Sequence, residues 1–312
     1  MKKWCWMQSD GHENLSHNLL ELKKSGFTGV ILQGEPEIIE KASDIGKKIG
    51  LEIHYWFVTM NCRDTEIEKS NPEWFMINRE GKSSLINPPY VDYYKWFCPN
   101  HPEVLPYLKK RMDKYLQMKN LSGIQLDYIR YPDAILPKKL QLKYNLEQDS
   151  VFPEFDFCYC PICRKKFKIE RGIDPIELNQ PEENEMWLEF RLKSINRIVS
   201  ELVDYVNKAN KLITAAVFPT PKMSTKMVLQ RWNDWKIDAF FPMLYHNFYT
   251  GNINWIADCL DEIDQDNTSS IPVYAGLFLA ALNKQELQKV YEVNEEKCSG
   301  FSLFDFASMK II

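Results

Sequence analysis

The chain has 312 residues, 45% of them hydrophobic, and a net charge of −4. That is enough apolar material for one large domain or two small ones, and too much for a disordered chain. Mild negative charge without a basic stretch argues against a nucleic-acid binder. No apolar run is long enough for a membrane span or a secretory signal, which gives the expectation of a cytoplasmic chain with no membrane partner.

Strand-like and helix-like segments alternate along the chain. Residues 4–8 read as a short apolar strand. Residues 14–25 repeat leucine at helical spacing (Leu15, Leu19, Leu22) and close on Gly26, a helix stop. A strand at 28–33 and a helix at 37–50 follow. Residues 51–60 are rich in β-branched and aromatic types, as strands are. A polar and aromatic excursion then runs to about residue 100. Residues 102–119 are helical, with Pro102 near the first turn. Residues 123–131 form the next strand, and a second long insertion covers 133–185. Residues 186–210 are amphipathic, with Trp187, Phe190, Ile195, Ile198, Leu202 and Val206 on one face. Strands at 212–218, 238–245, 271–279 and 300–306 alternate with helices at 225–236, 253–263 and 284–296.

Eight strands alternating with seven helices predict a parallel sheet. Eight units in this length predict an α/β fold of the (β/α)8 TIM-barrel type. It forms a single domain over residues 1–312, with insertions at about 61–101 and 133–185. An open doubly wound sheet is the rival. It is disfavoured because no glycine-rich phosphate loop follows the first strand.

In such a barrel, polar groups at the carboxyl ends of strands converge on one mouth. The sharpest candidate lies in Gly123-Ile124-Gln125-Leu126-Asp127-Tyr128-Ile129-Arg130-Tyr131-Pro132. Ile124 and Leu126 suit a buried parallel strand, and Pro132 forces the chain to turn. Asp127 and Arg130 therefore fall at the strand's end. The other strand ends offer Gln8 and Asp10, Gln33 and Glu35, His54 with Trp56, Tyr245 with His246, and Asp305. Glycoside hydrolysis uses two carboxylic groups, one ionised and one protonated. Asp127 is the best placed. Asp305 is the partner expected from a strand end, with Glu35 and Asp10 as rivals. The plain alternative is a structural ion pair between Asp127 and Arg130 or His54. Nine Trp and 15 Tyr suit either a core or sugar-stacking platforms.

Cys158, Cys160 and Cys163 make a C-x-C-x2-C run. Thiolates at this spacing share a zinc ion when a fourth ligand completes a tetrahedron. Cys98 or His101, from the first insertion, is the expected fourth ligand, which would staple the two insertions over the mouth. The alternative is a set of reduced thiols packed in a loop. The remaining cysteines are scattered and do not form a disulfide scaffold.

These motifs resemble a known family of glycoside-hydrolase-like TIM barrels, glycosyl-hydrolase-like family 10 and its relatives. The run from Gly123 to Pro132 is similar to its D-Y-x-R-[YF]-P strand. Cys98-Pro99-Asn100-His101-Pro102-Glu103-Val104 resembles the segment before its third helix. Cys158 to Phe167, followed by Gly172-Ile173-Asp174-Pro175, resembles its cysteine-bearing insertion. Gln230 to Trp235 and Pro242-Met243-Leu244-Tyr245 resemble its Q-x-W-x-x-W and P-M-x-Y elements. The resemblance implies a TIM barrel acting on a glycan, with the strand-four carboxylate Asp127 as a catalytic residue. Strands five and seven end in Phe218-Pro219 and Leu277-Phe278, without the acids that many retaining barrel glycosidases place there.

The expectation is a glycoside hydrolase cleaving a poly- or oligosaccharide. Asp127 serves as nucleophile or general base, and Asp305 or Glu35 as proton donor. Trp56 and Tyr245 stack on sugar rings, while Gln33, His54, Arg130 and His246 bind hydroxyls or position Asp127. No cofactor is needed for the reaction, and Cys98, Cys158, Cys160 and Cys163 hold structural zinc. A non-catalytic carbohydrate-binding barrel, or a metal-assisted hydrolase using His54, Asp127 and His246, are the alternatives.

Overall fold

A computed structural model describes residues 1–9, 14–266 and 270–311. Eight strands form the central sheet: β1 (Lys2–Gln8), β2 (Gly29–Gln33), β3 (Glu52–Val58), β4 (Gly123–Asp127), β5 (Leu212–Val217), β6 (Ala239–Pro242), β7 (Tyr274–Phe278) and β8 (Gly300–Phe304). Their order is β6-β5-β4-β3-β2-β1-β8-β7, and every ladder is parallel. Parallel bridges Phe240↔Val273 and Met243↔Gly276 bring the two ends together. The Leu244 N–H donates to Gly276 O at 2.8 Å across the same seam. Helices stand between the strands, so the chain is a nearly closed (β/α)8 TIM barrel, as expected from the alternation.

Strand residues alternate between two environments. Cys5, Met7, Val30, Leu32, Ile53, Phe57, Ile124 and Leu126 face outward into the layer beneath the helices. Trp4, Trp6, Ile31, Trp56, Ala216 and Phe241 fill the barrel's inside. Burial on both faces is why β2 reads as a near-continuous apolar run. The interior also holds polar groups. Trp6 Nε1 donates to Ser302 Oγ at 2.6 Å, His54 Nδ1 lies 3.2 Å from Thr214 Oγ1, and Thr214 Oγ1 bonds Gln125 Oε1.

The ends of some elements differ from expectation. β4 stops at Asp127, not at 131, because Tyr128 takes a left-handed φ of 54° and ends the ladder. The helix expected over 225–236 begins earlier, as Pro221–Val228. Thr220 Oγ1 caps it through Met223 N, and Leu229 at φ 50° ends it. Each insertion carries short local structure. In the first, Asn61–Cys62 pairs antiparallel with Lys95–Trp96. In the second, helix Pro161–Arg171 starts at the N-cap Cys160. Among the described residues, no helix is long and apolar enough to cross a membrane.

Candidate active site

Asp127 ends β4 at the carboxyl face of the barrel. Its backbone carbonyl accepts from Thr59 N (2.9 Å) and Thr59 Oγ1 (2.6 Å), which ties it to the end of β3. Trp56 Nε1 donates to Oδ2 at 2.8 Å and the Tyr128 N–H donates to Oδ1 at 2.7 Å. Both carboxylate oxygens are therefore aimed by rigid donors. The side chain is buried, and burial pushes its pKa up, against the opposing pull of Trp56, the Tyr128 amide, Arg130 and Arg63. Desolvation of the charged form outweighs three kinds of stabilisation here.

A cavity of about 210 Å³ opens beside this carboxyl. Trp6, Trp56, Tyr245 and Phe304 form an aromatic wall, and Arg130 and Asp133 bring charge to it. The aromatic packing is mutual: Trp6 and Trp56 meet edge to face at 4.9 Å, and Tyr245 lies 6.0 Å from Phe304. Burial raises the Tyr245 hydroxyl pKa well above its ordinary value, with the charges of Asp127, Tyr128 and Asp305 adding to it.

Arg130 is a buried cation. Its guanidinium carbon lies 4.9 Å from the Trp96 ring, 4.9 Å from Phe218 and 5.4 Å from Tyr128. Nη1 donates to Tyr131 O at 2.9 Å and to Asp133 Oδ2 at 3.0 Å. Arg130 does not pair with Asp127, the partner expected from the sequence, but with Asp133. Its only signal in the sequence was its place three residues after Arg130 in the same turn.

The structure gathers Asp127, Trp56, Arg130 and Tyr245 around the cavity and leaves other expected residues elsewhere. Asp305 follows β8, but its Oδ1 accepts from Ser308 N (3.2 Å) and Ser308 Oγ (2.8 Å). It starts the short terminal helical turn and does not line the cavity. Glu35 and Gln33 belong to a separate open groove outside β2 and β3, and Gln33 Oε1 accepts from Gln8 Nε2 at 3.0 Å. The reason is geometric: the chain leaves β2 outward into helix Pro36–Ile49, carrying Glu35 with it as the N-cap.

His54 lies two residues below Trp56 in β3, inside the barrel rather than at its mouth. Burial drives its pKa down to about 3, so it is a neutral core imidazole. His246 is buried at the start of a short helix with Nδ1 unpartnered, and it does not line the cavity. Asp10 lies outside the described residues.

The fourth cysteine is Cys98, not His101. The sulfurs of Cys98, Cys158, Cys160 and Cys163 are buried and all lie within 4.8 Å of one another. Cys98 Sγ is 3.5 Å from Cys160 Sγ and 3.4 Å from Cys163 Sγ. Asn100 Nδ2 donates to Cys163 Sγ at 3.3 Å. Hydrogen bonds from the neighbouring cysteines hold Cys160 well below the usual thiol range. His101 Nδ1 instead accepts from the Glu103 amide at 3.4 Å, and its ring leans on Trp74. Among the described residues this is the one group of His, Cys, Asp and Glu side chains close enough to share a metal ion. His54, Asp127 and His246 do not form such a group.

Residues 31–296 match the profile of the family described as Glycosyl hydrolase-like 10. The chain belongs to that family. Solved structures that it resembles include the glycoside hydrolase domain of PgaB (BpsB) from Bordetella bronchiseptica. That domain is 10% identical with a TM-score of 0.74, over 99% of this chain and 95% of that one. The catalytic domain of β-amylase from Paenibacillus polymyxa is 11% identical with a TM-score of 0.63, over 98% and 92%. A β-galactosidase from Halorubrum lacusprofundi is 10% identical with a TM-score of 0.65, over 98% of this chain and 52% of that one. At these identities the likeness is one of fold. No curated protein sequence matches the chain.

Proposed function

We propose that this family member is a glycoside hydrolase acting on a poly- or oligosaccharide in the cavity at the end of β4. The observation that carries the reading is Asp127. It is a carboxyl group aimed by two fixed donors, raised in pKa by burial, at the edge of an aromatic-walled space on the scale of one sugar ring. Perturbed acids in a cleft are the usual mark of acid–base chemistry. A raised pKa favours the proton-donor role for Asp127, the reverse of the nucleophile or base expected from sequence. It also favours hydrolysis over mere sugar binding, since a binding site gains nothing from a destabilised carboxylate. Trp56 positions Asp127 through its indole N–H and, with Tyr245 and Phe304, offers ring faces to a sugar.

The test is a screen of natural polysaccharides and their oligomers for new reducing ends. The protein as it stands releases them from at least one, and Asp127→Asn releases far fewer while still binding that glycan. No release from any glycan would sink the reading.

We further propose that the four cysteines hold a structural zinc ion. Zinc–sulfur bonds of about 2.3 Å put tetrahedral thiolates roughly 3.8 Å apart, close to the spacing found. Asn100 is the outer hydrogen-bond donor that such sites use to orient a ligand. Four protein ligands leave no open position, so the ion would tie the two insertions together and take no part in the reaction.

A further inference from the structure

Resting on the glycosidase reading, we propose that Asp133 is the second catalytic carboxylate, the ionised partner of Asp127. Neither Asp305 nor Glu35 reaches the cavity, whereas Asp133 lines it together with Asp127. The side chain of Asp133 is buried, and its charge is compensated by one group, the Arg130 guanidinium, at 3.0 Å. That cation is itself held by three aromatic faces and by Tyr131 O, so it cannot swing away. Only Oδ2 is engaged with Arg130; among the described residues no hydrogen bond is made to Oδ1.

The two carboxyl groups therefore occupy contrasting environments on one cavity. Asp127 meets an indole and an amide, and Asp133 meets a full positive charge. A site that keeps one acid protonated and the other ionised at the same pH is what glycoside cleavage requires.

In the step that follows, water adds to the anomeric carbon as the bond from that carbon to the leaving oxygen breaks. Asp127 gives its proton to the leaving oxygen, and Asp133 takes a proton from the water. Glycoside and water become two hydroxyl-bearing products. A proton returned through solvent from Asp133 to Asp127 resets the site. Arg130 is the positioning residue that holds the Asp133 carboxylate at the cavity.

The test uses the glycan that the wild-type chain cleaves, with Asp133→Asn, Asp133→Ala and Asp127→Asn each shown by circular dichroism to be folded. Asp133→Asn is expected to lose about 10²–10⁴-fold in kcat and the acidic limb of the pH–rate profile, with glycan binding within a few-fold of wild type. Azide added to Asp133→Ala restores part of the rate. The product anomer is inverted relative to the substrate. If Asp127→Asn is inactive while Asp133→Asn turns over within tenfold of wild type, Asp133 is only the structural partner of Arg130, and this proposal falls while the glycosidase reading stands. A retained anomer overturns the role of base to water. If Asp127→Asn also turns over normally, or the wild type cleaves nothing, both readings fall together.

Discussion

Replacing Arg130 with Met probes the charge arrangement at the cavity while leaving the Asp127 side chain in place. The Arg130 and Asp133 side chains are 6% and 5% exposed, with Nη1 to Oδ2 at 3.0 Å. Removing one member of such a buried pair leaves the other uncompensated and costs about 3–5 kcal/mol. At about 2 °C per kcal/mol for a chain of this size, Arg130→Met lowers the melting temperature by about 6–10 °C. Asp133→Asn keeps an acceptor for Nη1 but removes its charge, and costs about 1.5–3 kcal/mol. The double variant removes both charges at once. It is less damaged than the sum of the single variants by at least about 2 kcal/mol, since neutral replacement of a buried pair is tolerated far better than its breakage. Urea unfolding followed by far-UV circular dichroism measures all four corners of the cycle. Adding 0.5 M sodium chloride leaves the coupling in place, because buried pairs are weakly screened. Additivity within about 0.5 kcal/mol, or a coupling that salt abolishes, would refute the buried pair.

Asp127 is raised in pKa by burial, so the folded chain holds that proton more tightly than the unfolded chain. The stability this confers is present at low pH and is lost as pH rises through the folded-state pKa. The melting temperature of Asp127→Asn relative to wild type therefore climbs from pH 4 to pH 8 in differential scanning fluorimetry, and a flat difference would contradict it. Cys163→Ser is expected to reduce bound zinc from about one per chain, read by elemental analysis. If the site is saturated a thousandfold above its Kd, losing it costs about 4 kcal/mol, or about 8 °C; unchanged zinc and melting would remove the metal from the account. Gly123 must stay small, because a Cβ there lies 2.6 Å from Leu212 O and 2.9 Å from His54 Cε1. Gly123→Ala destabilises by about 1–3 kcal/mol in urea titration, since the nearer obstacle is backbone of the β4–β5 ladder.

Much of the barrel was legible because each strand carries its own apolar run and each helix its own period. The cavity's lining was legible in part where it sits at or near strand ends. Asp127, at the end of β4, and Trp56, near the end of β3, follow from the rule that barrel strands deliver side chains to one mouth, and Tyr245 reaches it from the turn after β6. His54 shows the limit of that rule. It shares a face with Trp56, but side-chain alternation alone does not say how deep in the barrel a residue lies. Asp305 and Glu35 lie away from this cavity for a related reason. Each immediately precedes the next turn or helix, where capping and chain direction, and not strand register, decide where the carboxylate goes. Asp133 was hidden because it comes after a proline turn, in an insertion whose path depends on long-range packing of Trp96 and Phe218 around Arg130. The choice of Cys98 over His101 likewise depended on how the two insertions meet.

The most direct measurement is a crystal structure of Asp127→Asn with the longest oligosaccharide that the wild-type chain cleaves. The account predicts a sugar ring against Trp56, Tyr245 and Phe304, its scissile oxygen within about 2.6–3.2 Å of the residue 127 side chain. A glycan lying in the groove beside Glu35, with the cavity at Asp127 free of sugar, would contradict it.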